Sequence, residues 1–147
     1  MKNIMILLAL SSWVFAEFSR SDSGVVTDSV TGLQWQDNYR DNDNNITLAS
    51  WEDAINYCEN LSLDGGKWRL PNIRELDSIL DVGRIDTIAT PLTSPVFQNG
   101  TFNPYWSSTT SEHSHTAAWF IHFGTGNSSS DFSKASTFYV RCVRSKE

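Results

Sequence analysis

Five groups of residues in this chain have types and spacings that could do chemistry. In Asp41-Asn42-Asp43-Asn44-Asn45, the residues Asp41, Asp43 and Asn45 alternate and Glu52 stands at the twelfth position, as the ligands of a calcium loop do. The tight-turn glycine of such a loop is missing: Ile46 holds its place and Leu48 the eighth. Glu52 also falls in the first turn of a predicted helix. The segment reads as a solvated polar loop, with calcium binding left open and no metal ligand assigned. His113 and His115 have an i, i+2 spacing that could chelate a metal, but no third ligand is close in sequence, so they read as solvated loop histidines. Tyr105, Trp106 and Trp119 could offer aromatic faces to a sugar. They are the candidate ligand-binding residues, with core packing as the competing role for each.

Cys58 and Cys142 are the two cysteines. In an exported protein they read most simply as one disulfide, with two separate buried thiols as the alternative. The bond would close a loop of about 85 residues and contribute on the order of 4 kcal/mol in the chain-entropy model. Neither cysteine has a Cys or His nearby at zinc-ligand spacing. Ser107 or Ser108 as a nucleophile would need a base and an oxyanion site, for which His122 alone is weak support. No catalytic residue and no cofactor is assigned.

The elements that must position these groups follow from periodicity and capping. Pro71 biases Leu70 towards an extended backbone. Asn72 is a good N-cap, and Glu75 three residues on completes a capping box. Ile73, Leu76, Ile79 and Leu80 share the apolar face of a helix that should end near Val82-Gly83. An earlier helix opens at Ser50, with Asp53 at capping-box spacing. Trp51, Ala54, Ile55, Cys58 and Leu61 form its buried stripe. Val25–Asp28 and Leu33–Gln36 read as a hairpin with Leu33 and Trp35 on one face. Residues 84–103 are loop-like, with Ile85, Ile88, Leu92, Val96 and Phe97 as tacks onto the core. Residues 105–109, 117–123 and 138–144 read as strands, separated by a Gly- and Ser-rich turn region at 124–136. The last strand puts Phe138, Val140 and Cys142 on one face. Arg69, Arg74, Glu75 and Asp77 are expected to pair with the Arg141/Arg144 region. Helices framed by a hairpin and late strands make an α+β domain.

At 147 residues the chain fits one domain. Residues 1–16 read as a signal peptide: Lys2 supplies the charge, Ile4 to Leu10 the apolar core, and Val14-Phe15-Ala16 the cleavage site. The runner-up is an uncleaved anchor, although the apolar run falls short of the roughly 20 residues of a spanning helix. Residues 17–23 read as a mobile polar segment and 24–145 as the folded domain. The net charge of -6 disfavours nonspecific binding to nucleic acid or anionic lipid. No nucleic-acid partner and no membrane insertion after signal cleavage is expected. Arg141, Arg144 and Lys146 form only a small basic cluster.

Five motifs occur in one order: Gly32-Leu33-Gln34-Trp35, the Trp51-Glu52-Asp53-Ala54-Ile55…Tyr57-Cys58 helix, Trp68 to Leu76, Tyr105-Trp106-Ser107-Ser108-Thr109, and Tyr139-Val140-Arg141-Cys142-Val143-Arg144. Together they resemble the family of the C-terminal domain of the Legionella collagen-like adhesin, the Lcl C-terminal domain. The resemblance covers roughly residues 24 to 145. It implies a C-type-lectin-like fold, two helices packed against small antiparallel sheets, with the helix-borne Cys58 paired to the last-strand Cys142. It also implies an exported bacterial protein, periplasmic or at the cell surface. In the adhesin this domain joins a collagen-like stalk and takes part in binding sulfated polysaccharide. The present chain has no Gly-X-Y repeat and is acidic, which argues against that activity here. The calcium-site tripeptides of true C-type lectins are absent, since Leu70-Pro71-Asn72 is only a partial echo and Trp106 precedes Ser107-Ser108.

The reading that follows is a non-catalytic binding or adhesion domain for a glycan or a surface protein. The alternatives are a structural or assembly unit of the cell surface, and a relative of the formylglycine-generating oxidases, whose Arg-Leu-Pro segment is echoed by Arg69-Leu70-Pro71. A monomer is the simpler expectation for the oligomeric state.

Overall fold

The structure, a computed structural model, describes residues 17–84, 91 and 93–146. The signal-peptide reading of residues 1–16 and the tacks Ile85, Ile88 and Leu92 lie outside the described residues. Within them the order is β1 (Phe18–Arg20), β2 (Val25–Asp28), β3 (Leu33–Gln36), β4 (Leu48–Ala49), α1 (Trp51–Asn60), α2 (Ile73–Ser78), β5 (Pro104–Thr110), β6 (Ala118–His122), β7 (Asn127–Ser129), β8 (Phe138–Tyr139) and β9 (Val143–Ser145). Strands β1-β2-β3-β9 form one sheet and β4-β8-β5-β6-β7 the other. The α+β class with two helices, small sheets and one disulfide is therefore seen. The antiparallel expectation has one exception, because β5 and β8 run parallel through Tyr105 and Tyr139.

The second sheet is buried on both faces, which alternation along its strands makes possible. Trp106, Ala118, Phe120 and Phe138 pack with Ala54 and Cys58 of α1. Tyr105, Ile121 and Phe123 pack with Leu76 of α2 and Ile79, and with Val26 and Trp35 of the first sheet. Both helix starts form as the sequence predicts. The Ser50 hydroxyl accepts from Asp53 N–H at 3.3 Å. Asn72 Oδ1 accepts from Glu75 N–H at 2.9 Å, and Glu75 Oε2 from Asn72 N–H at 3.0 Å.

Several expectations are corrected. Helix α2 ends at Ser78, a turn before Val82-Gly83. The Ser78 hydroxyl donates back to Glu75 O at 2.6 Å, and Leu80 leaves the helix to bridge Thr93. The segment 17–23, read as mobile, carries β1, paired with Val26–Asp28. Phe18 packs on Phe97 with ring centroids 5.8 Å apart, and Arg20 binds a buried carboxylate. The single last strand is two: the chain leaves the second sheet after Tyr139 and enters the first at Val143. Val140 and Cys142 still face the α1 cluster, so the alternation survives the crossing. Arg141, between them, is aimed the other way.

Cys58 and Cys142 form the disulfide, with Cα atoms 5.5 Å apart and both residues fully buried. It joins α1 to the crossing between the sheets. The charged residues of the central element do not reach Arg141 or Arg144. Arg69 pairs within its own element, with Glu75, and Arg74 and Asp77 are exposed. Arg144 instead lies over Trp68, 4.5 Å from the ring centroid, and donates to Asp64 O and Gly66 O at 2.7 and 2.9 Å.

Candidate functional site

The aromatic residues expected to face a ligand are placed differently from one another. Tyr105 and Trp106 are core residues, 2% and 0% exposed, which corrects their reading as ligand platforms. Tyr105 meets Phe123 edge-on, and Trp106 packs on Phe138 with centroids 4.3 Å apart. The Trp106 indole N–H donates to Ala49 O at 3.0 Å, so the ring is fixed from both ends. Trp119 alone keeps a partly exposed face. Its indole N–H donates to Glu112 Oε2 at 3.0 Å. The backbone N–H of Glu112 and then the Trp119 indole hold that carboxyl below its ordinary range. His113 and His115 are exposed. Among the described residues, no group of three or more His, Cys, Asp or Glu is placed to hold a metal ion.

Residues on either side of the turn at 41–43, namely Asn38, Tyr39 and Arg40 before it and Asn44, Asn45, Ile46 and Leu48 after it, build one wall of a cleft. Arg40–Asn42 makes a single 3-10 turn. Asp43 and Asn44 then take left-handed backbone, φ 52° and 64°, as short polar side chains tolerate. Asn44 N–H returns to Tyr39 O at 2.9 Å, and the amide of Asn42 closes the loop on Asn45 O at 2.9 Å. The facing wall is the segment Gln98–Thr101. Two adjoining hollows lie between them, of about 220 and 380 Å³, and both are lined by Asn44, Gln98 and Asn99.

What sets the second wall is Asp37, just beyond β3 and fully buried. Its Oδ2 accepts from Arg20 Nε at 2.7 Å and from Gln98 N–H at 2.9 Å. Its Oδ1 accepts from Asn99 N–H at 3.0 Å and from Arg141 Nη1 at 3.3 Å. Arg141, 2% exposed, also donates to Gln36 O at 3.1 Å and to Asn99 O. Its guanidinium lies 4.5 Å from the Phe97 ring centroid. A buried carboxylate is tolerable only with such partners. The consequence is geometric: the backbone at Gln98 and Asn99 is drawn inward, and Gln98 stays on the surface. Gly24 completes the support at the β1–β2 turn. It has φ +82°, and a Cβ there would lie 2.7 Å from Asn38 Cβ. Beside the cluster, burial pushes the Tyr39 phenol far above its usual range and raises Tyr57 to about 12, so both stay neutral: Tyr39 donates to Val140 O at 3.3 Å, and Tyr57 accepts from Gln36 Nε2 at 2.7 Å.

The sequence did not single out Asp37 or Asn99. One signal was available: Arg141 sits out of phase between buried Val140 and Cys142, and a buried guanidinium requires an acidic partner.

The family model of the Lcl C-terminal domain matches residues 24–144. The chain belongs to this family. No curated protein matches the chain significantly. The matched span of this Lcl C-terminal domain includes both walls of the cleft and the disulfide. It also includes most of a second cleft of about 340 Å³, lined by Gln34, Asp64, Gly65, Lys67, Arg144 and Lys146. Among the described residues, no helix is long and apolar enough to cross a membrane.

Proposed function

We propose that this Lcl C-terminal domain is an exported, non-catalytic binding module of the bacterial surface, C-type-lectin-like in arrangement, whose glycan or protein ligand seats between residues 38–48 and 98–101. The observation that carries the reading is the Asp37 cluster, which fixes one wall of a polar cleft before any ligand arrives. Preorganised walls lower the ordering cost of binding. The non-catalytic reading is supported by the cysteines, since an oxidase of the formylglycine-generating kind needs a reactive pair in a cleft. Here both sulfurs are bonded to each other in residues with no exposed surface.

The test is a glycan array on the purified protein, run with calcium and with chelator. The reading expects reproducible binding to one glycan class that persists in chelator. Binding lost with chelator would instead make Asp41–Asn45 a calcium site. A folded, disulfide-bonded protein that is blank on the array, and that crosslinks to no surface protein, contradicts the reading.

A further inference from the structure

Among the described residues, the half of the cleft that runs from Asn44 to Tyr139 is lined by no side chain charged at neutral pH. Its polar lining is Asn44, Asn45, Gln98, Asn99, Thr101 and the Tyr139 phenol, and Ile46 and Leu48 supply apolar surface. Each primary amide carries two donors and an acceptor, the complement of a hydroxyl that both donates and accepts. Asn44 and Gln98 give their backbone N–H groups to Tyr39 O and Asp37. Among the described residues, their side-chain amides make no hydrogen bond within the chain. Leu48 is 54% exposed and lies in register with Tyr139 across β4 and β8. Together they make an apolar step against which the C–H face of a ring can rest. Arg20 and Arg141 are turned onto Asp37, and Arg40 lines the adjoining half and is absent from the lining of this one. The charge-assisted donors that favour an anionic ligand are missing among the described residues of this half. The second cleft has Lys67, Arg144 and Lys146 in its lining.

We infer that this half of the cleft takes an uncharged, hydroxyl-rich ligand, a neutral sugar residue rather than a sulfated or carboxylated one. The inference rests on the binding-module reading and gives its ligand class. The recognition is by side-chain amides, with no metal ion between protein and sugar.

The test is titration of the purified protein with a set of neutral oligosaccharides and with sulfated heparin fragments, at low and high salt. Asn44→Ala and Gln98→Ala are run alongside, with melting temperatures to confirm their folding. The expected result is saturable binding of a neutral oligosaccharide, insensitive to salt and weakened about tenfold by each substitution, the loss of one or two hydrogen bonds. Heparin binding weakened by Gln98→Ala would overturn the ligand class and leave the cleft as the site. Neutral-sugar binding unmoved by both substitutions would overturn the cleft itself. Binding of neither set overturns the ligand class.

Discussion

Asp37 and Glu75 are both carboxylates gripped by arginine, yet they do different work. Asp37 is fully buried and gathers partners from distant segments: Arg20, Gln98, Asn99 and Arg141. Glu75 receives Arg69 six residues away through two hydrogen bonds of 2.7 Å, at the surface, and closes a capping box that the backbone already favours. The first arrangement fixes where two loops and a strand crossing meet. The second trims one helix end. An ion pair matters for architecture when water is excluded and the partners are far apart in sequence.

The comparison can be broken or sharpened by substitution. The largest effect is expected from removing the Cys58–Cys142 bond next to Arg141. With a sequence separation of 84, the double Ala variant should lose about 4–5 kcal/mol in the chain-entropy model, read by denaturant unfolding. Asp37→Ala strands two guanidinium groups, one of them buried, and should cost about 3–5 kcal/mol; a loss under about 1 kcal/mol would put the two pairs in one class. Arg69→Ala removes the exposed pair and should cost no more than about 1 kcal/mol. Arg74 is exposed, so Arg74→Ala should change stability by no more than about 0.5 kcal/mol, against the several degrees that a buried pair would predict.

The two pairs also differ with pH. Burial works to raise the Glu75 carboxyl, but the hydrogen bonds from Arg69 and from Asn72 N–H outweigh it and hold it below its ordinary 4.5. A depressed carboxyl stabilises fully above its unfolded value and loses that contribution as pH falls through its folded value. The stability gap between the natural chain and Glu75→Gln should therefore be full near neutral pH. It should shrink as pH falls below 4.5 and close in more acid solution, as followed by melting temperature.

Local chemistry was legible where neighbours in sequence decide it. Asn72 with Glu75, and Ser50 with Asp53, set the helix starts, and the Val25–Gln36 hairpin followed from alternation. The stop of α2 was not legible, because Leu80 leaves it to meet Thr93, a tertiary demand that periodicity does not carry. The aromatic residues misled, because a partly exposed and a buried Trp look alike in sequence: Trp106 lies inside the α1 cluster, whereas Trp119 of the same sheet reaches Glu112 in the loop beyond β5. The cleft was hidden for the same reason. Its walls are polar loops whose shape depends on Asp37, 104 residues from Arg141.

The claim that Asp37 fixes the cleft wall is tested most directly by hydrogen exchange in the natural chain, Asp37→Asn and Arg69→Ala. The account predicts faster exchange at the amides of Gln98 and Asn99 in Asp37→Asn, with β5 and β6 still protected, and no change there in Arg69→Ala. Equal protection at Gln98 and Asn99 in all three proteins would contradict it.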